Sequence, residues 1–166
     1  SVSALALALQ VEDEKQILKV YPNMNRALML AEKSIQKSLG VFGNSYLREV
    51  HDAIQDKKSV LCVEKNLSGK IEKTACFFKK KQNQAVAFEG WIEVSTPTEF
   101  IYILDRDNCV IGAGVVEQRK MKRQDNRKSI LAACVKGYLT GKTGNESVKV
   151  FNPKDKSCFC LDFGKK

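Results

Sequence analysis

Residues 85–95 read Ala85-Val86-Ala87-Phe88-Glu89-Gly90-Trp91-Ile92-Glu93-Val94-Ser95. In an extended chain, Val86, Phe88, Gly90, Ile92 and Val94 share one face. Ala85, Ala87, Glu89, Trp91, Glu93 and Ser95 take the other, because successive strand side chains point to opposite sides. Outward from this segment the two-residue period persists. Residues 60–63 and 71–78 are short β-type runs around Asn66-Leu67-Ser68-Gly69-Lys70, which predicts a hairpin. Thr96-Pro97-Thr98 predicts a turn, residues 100–104 a strand, Asp105-Arg106-Asp107-Asn108 another turn, and 109–116 a further strand. Residues 147–151 and 157–163 predict two closing strands around Asn152-Pro153-Lys154-Asp155.

Before Ser59 the period is helical. Asn23 is placed to cap a helix, because its short side chain accepts from an early helical N–H. Met24, Leu28, Ala31, Ile35 and Leu39 then form one apolar stripe, and Gly40 follows as a stop. Leu47, Val50 and Ile54 mark a second helical face. His51, the single histidine, flanks that face and reads as a boundary residue. The run Val2-Ser3-Ala4-Leu5-Ala6-Leu7-Ala8-Leu9 predicts an Ala/Leu-rich helix packed on its own domain, both residues being strong helix formers. As a signal peptide it lacks a basic start. Ile130, Leu131, Cys134, Val135 and Tyr138 are spaced as on a helix, with Asn126 as cap and Gly141 as stop, and predict one helix inserted among the strands. The expectation is a single α+β domain over 1–166. Helices within about 4–56 pack against a mainly antiparallel sheet, a meander or partly open barrel, within about 59–163.

The chain has 166 residues, 43% hydrophobic and 28% charged, with a formal net charge of +9. This is not the composition of a disordered or collagen-like chain. No apolar run approaches the ~20 residues of a membrane-spanning helix. Residues 1–56 carry 6 basic against 7 acidic side chains, whereas 57–128 carry 15 against 9 and 129–166 carry 7 against 3. Two basic clusters stand out: Lys79-Lys80-Lys81 beside Phe77 and Phe78, and Arg119, Lys120, Lys122, Arg123, Arg127 and Lys128. Lysine and arginine neutralise phosphates and release counterions, and an exposed aromatic such as Trp91 stacks on an unpaired base. These features predict a non-enzymatic basic module binding nucleic acid, single-stranded by preference, through those residues.

Enzyme chemistry finds little support. One histidine leaves little for Ser-His or Cys-His catalysis, and no G-x-S-x-G or H-E-x-x-H occurs. Gly137-Tyr138-Leu139-Thr140-Gly141-Lys142-Thr143 has three residues between its glycines where the phosphate-binding loop has four, and reads as a helix-ending turn. No cofactor or metal is expected; there is no C-x-x-C, and a single histidine excludes a Cys₂His₂ zinc site.

Six cysteines leave two readings open. A three-residue hairpin loop at 68–70 would set Cys62 opposite Cys76 as a bridging pair, and Cys158 and Cys160 share one strand face as further disulfide candidates. Alternatively the thiols are free, as in a reducing compartment. Free thiols would point to an intracellular protein and disulfides to an exported one. The order of elements, a helical start followed by a meander and a cysteine-rich end, resembles that of pilin-like subunits, without their hydrophobic leader motif. That resemblance implies the alternative function: an exported, disulfide-bonded protein-interaction or assembly subunit.

Overall fold

A computed structural model describes residues 1–37, 46–79, 83–117, 130–140 and 147–163. The described chain is α+β. Helices α1 (Val2–Ala8), α2 (Glu14–Ile17), α3 (Met24–Gln36) and α4 (Tyr46–Gln55) come first. Strands β1 (Val63–Glu64), β2 (Gly69–Lys79), β3 (Asn83–Val94), β4 (Phe100–Leu104), β5 (Val110–Glu117), β6 (Leu131–Leu139), β7 (Ser147–Asn152) and β8 (Ser157–Asp162) follow. They form one sheet in the order β1-β8-β7-β4-β5-β6-β3-β2. All neighbours are antiparallel except β1 and β8, which run parallel.

The helices form where local chemistry favours them. Asn23 Oδ1 accepts from Arg26 N at 3.0 Å, capping α3, whose Ala27, Leu28, Ala31 and Ile35 are buried. Leu39 and Gly40 lie outside the described residues. The Ala/Leu run is α1, with Leu5, Ala6 and Ala8 fully buried. It packs on β5 and β6 and against all three other helices.

Two tyrosines of the sheet fasten this helical layer. Tyr138 on β6 donates to Asp13 Oδ2 at 2.6 Å, while Asp13 Oδ1 caps α2 through Gln16 N. Tyr102 on β4 donates to Glu49 of α4 at 3.2 Å. Burial first, and then the neighbouring carboxylate, pushes both phenols well above the ordinary tyrosine range. Both remain neutral donors, and each buried polar pair ties the helices to one position on the sheet.

The opposite face of the sheet is the concave one. It encloses Phe88, Ile92, Ile101, Ile103, Val150 and Phe159 in a second core. The sheet curls far enough for Phe163, just past β8, to meet Phe88 of β3 edge to face, with ring centroids 5.3 Å apart. Val86, Phe88, Ile92 and Val94 all serve this inner core, as the alternation of 85–95 predicts.

Three expectations are corrected. Residues 131–139, predicted as an inserted helix, are strand β6, paired with β3 and β5. Ala133, Val135 and Leu139 face the inner core and Tyr138 lies under the helices, while Cys134 and Lys136 on the outer face are half-buried; with so little polar contrast along the run, the two-residue period is faint. The same strand absorbs Gly137, Tyr138 and Leu139, so they do not end a helix.

The hairpin predicted across 66–70 does not form. β2 folds back on β3 instead, joining an 11-residue strand to a 12-residue one. That pairing satisfies far more backbone groups than the short 60–63 run could offer. Cys76 therefore faces Val86, not Cys62. Cys62 instead bridges Cys158, 96 residues away, with Cα atoms 5.7 Å apart.

Candidate functional site

Cross-strand register brings a set of charged and aromatic side chains together on the outer face of β2, β3 and β6. Lys70, Trp91, Cys134 and Glu117 stand side by side across β2, β3, β6 and β5. On the same face, Lys73, Glu89, Lys136 and Val115 form a neighbouring row. A third row, Ala75, Ala87, Tyr138 and Ala113, begins the part covered by helices. Directly opposed side chains on adjacent strands have Cβ atoms roughly 4.5–5.5 Å apart.

Trp91 is half-buried and belongs to neither core, while Lys70 and Lys73 are exposed and Lys136 is half-buried. The irregular pairing between Ile71 and Lys73 inserts Glu72 and keeps Lys70 and Lys73 on one face despite their odd spacing. The surface thus offers an indole among three ammonium groups, with Glu89 and Glu117 offsetting part of that charge.

Lys70, Lys73 and Lys136 were not singled out by sequence. Their signal lay in register: only when β2 and β6 flank β3 do they collect around Trp91. Reading 130–138 as a helix hid Lys136 altogether.

The predicted Lys79 sits elsewhere, paired with Asn83 where β2 meets β3. It is half-buried, and burial lowers the pKa of its ammonium group. Trp91 stands eight positions along β3 from Asn83, roughly 26 Å at 3.3 Å per residue. Lys79 and Trp91 therefore do not share a site. Lys80, Lys81, Arg119, Lys120, Lys122, Arg123, Arg127 and Lys128 lie outside the described residues.

A second polar group gathers at one end of the inner core. Glu93 is buried and accepts from Ser68 N and Ser68 Oγ, each at 2.8 Å. Asn152 donates to the Thr96 carbonyl at 2.9 Å. Lys65 Nζ donates to Ser95 Oγ at 3.1 Å and lies 3.5 Å from Asp155 Oδ2, to which Ser95 Oγ donates at 2.5 Å. The adjoining cavity, lined by Leu67, Ile92, Ile101 and Phe159 among others, has about 10 Å³ of accessible volume. That is room for about one water molecule. The Ser95 hydroxyl is committed to a carboxylate held in its charged form, so the Lys65-Ser95-Asp155 chain fastens strand ends together.

Burial alone would raise the Asp155 pKa, but hydrogen bonds from Ser157, Ser95 and Thr96 outweigh it and hold the carboxyl well below the usual range. A carboxylate whose folded pKa is depressed adds stability above its unfolded pKa of about 4, and that stability is lost as pH falls from there toward the folded value. Asp155→Asn should therefore lower the thermal midpoint near neutral pH, and its curve should converge on the parent's below about pH 4. A constant gap between the two curves down to about pH 2 would show that Asp155 carries no such linkage.

Among the described residues, His51 lies beside Asp52 at 3.2 Å on the exposed side of α4. Among the described residues, no group of three or more His, Cys, Asp or Glu is arranged to hold a metal ion. No described helix is long and apolar enough to cross a membrane. Comparison with known proteins gives no matching family model, no similar curated protein and no similar solved structure.

Proposed function

We propose that this chain is a basic binding module for single-stranded nucleic acid, held on the outer face of β2, β3 and β6. The observation that supports it is the half-exposed Trp91, belonging to neither core, with Lys70 beside it and Lys73 and Lys136 in the next row. An indole on an open sheet face stacks on a base that is not already paired, which favours single strands over duplex. The lysines track the phosphates on either side without reading sequence. Arg119, Lys120, Lys122, Arg123, Arg127 and Lys128 add a further source of phosphate contacts.

The test is binding of a fluorescent oligothymidine across a salt series. Trp91→Ala should weaken binding about tenfold with little change in salt slope, because stacking releases no counterions. Reversing Lys70, Lys73 and Lys136 to Glu should weaken it further and flatten the slope by about two, at roughly 0.7 per phosphate contact on a single strand. Charge reversal across 119–128 should flatten it as well. No binding at low salt, or binding indifferent to all these changes, would defeat the reading.

The second reading, an exported protein-interaction or assembly subunit, is favoured by one observation: the Cys62–Cys158 disulfide, since such bonds persist mainly in oxidising compartments. Four described cysteines, Cys76, Cys109, Cys134 and Cys160, are nevertheless free, and Cys76 and Cys160 are exposed. That mixture weighs toward the first reading.

A further inference from the structure

The Cys62–Cys158 bridge, packed with the core beneath the helices, anchors a short segment, 62–68, whose Leu67 reaches the end of the inner core. Val63 N donates to the Lys156 carbonyl at 2.9 Å and Lys65 N to the Cys158 carbonyl at 3.0 Å. Lys65 reaches Ser95 and Asp155, Leu67 lines the cavity, and Ser68 is held by Glu93. Glu93 N also donates to the Ser68 carbonyl at 2.8 Å, and Lys149 Nζ lies 3.9 Å from Glu64 Oε1. Val63, Glu64, Lys65 and Asn66 are exposed, and β1 is only two residues long. A segment with few buried contacts and a short ladder opens locally at low free-energy cost.

The two sulfurs differ in access. Cys158 is fully buried, whereas Cys62 is half-exposed. An incoming thiolate therefore meets Cys62 first. The bridge also coexists with exposed free thiols at Cys76 and Cys160, which sets it apart from a framework in which every cysteine is paired.

We propose that the Cys62–Cys158 disulfide is a thiol-operated latch, opened by a protein dithiol of the thioredoxin type, and that its opening frees segment 62–68 from the end of the inner core. One thiolate of the dithiol attacks Cys62 Sγ. A mixed disulfide forms there, the Cys62–Cys158 bond breaks, and Cys158 leaves as a thiolate that takes a proton. The second thiol of the dithiol, deprotonated, then attacks its own sulfur in the mixed disulfide and expels Cys62 as a thiolate. The protein disulfide is reduced to two thiols and the dithiol is oxidised to its disulfide. Segment 62–68 then loses its covalent tie and is left to noncovalent contacts, among them the two-residue ladder, the Lys65 contacts, the packing of Leu67 and the Ser68–Glu93 bonds.

The experiment is limited trypsin digestion of the oxidised chain, before and after treatment with thioredoxin kept reduced by its reductase. Cleavage after Lys65 and after Lys136 of β6 is read by mass spectrometry. Opening of the latch should speed cleavage after Lys65 at least tenfold while Lys136 stays protected. Cys62→Ser should show the fast cleavage without thioredoxin, and Cys160→Ser should behave as the oxidised parent. A bridge left intact by reduced thioredoxin would overturn the proposal. So would reduction that leaves cleavage after Lys65 unchanged, or that raises cleavage at Lys65 and Lys136 in step, the mark of global unfolding.

Discussion

Gly137→Ala is expected to destabilise the chain by more than about 3 kcal/mol. Gly137 lies in β6, directly opposite Gly114 of β5 and next to Phe88 of β3. A Cβ built on Gly137 would run into the Ala113 carbonyl oxygen and the Gly114 Cα, backbone atoms of the neighbouring strand. No rotamer change relieves such a clash; β5 and β6 must move apart. Gly90 of β3 is in the same position against the Lys70 carbonyl of β2. These close approaches let the strands coil tightly enough for the sheet to curl and for Phe88 to meet Phe163. Urea unfolding of Gly137→Ala beside Lys136→Ala, the half-buried neighbour, measures the effect. A loss below about 1 kcal/mol for the glycine variant would show that the sheet has slack at this crossing.

The periods of β3 and α3 were legible because each has one covered and one open side. β3 alternates because its inner residues fill a core while Glu89 and Trp91 face outward, and α3 shows a stripe because its far side meets solvent. β6 was harder to read: its outer face carries Ala132, Cys134, Lys136 and Tyr138, a mixture that meets the helical layer only at Tyr138 and gives no clean polar alternation against the inner Ala133, Val135 and Leu139. β1 failed through length, since two residues pairing in parallel with β8 leave no local pattern. The candidate site was legible only as its aromatic centre. Trp91 stood out by type and face, but the lysines around it come from β2 and β6, and the register that gathers them is a tertiary property. Lys79 illustrates the converse. A run of lysines reads as exposed charge, yet its first member is half-buried where Val11 bridges the end of β2.

Loss of the Cys62–Cys158 bridge should lower global stability by about 4 kcal/mol, a large share of the 5–15 kcal/mol typical of a folded domain. The folded state loses little, because Cys62 is half-exposed and the noncovalent contacts of its segment remain. The effect resides in the unfolded chain, where the bridge ties together residues 96 apart in sequence. Closing so long a loop removes more entropy from the unfolded ensemble than closing a short one. The bridge also joins the segment just before β1 to β8, the farthest strand along the chain, so it restrains β2 to β7 as one loop. At roughly 2–4 °C per kcal/mol for a chain of this size, Cys62→Ala should melt about 10 °C or more below the oxidised parent. The reduced parent should melt beside the variant, while Cys160→Ser should melt with the oxidised parent. The origin in the unfolded state gives a sharper check. Folding and unfolding rates should divide the loss unevenly, with folding of the reduced chain slowed more than its unfolding is accelerated, wherever β8 has joined the sheet by the transition state. Equal thermal midpoints for the oxidised and reduced parent would show that the bridge constrains nothing that matters to folding.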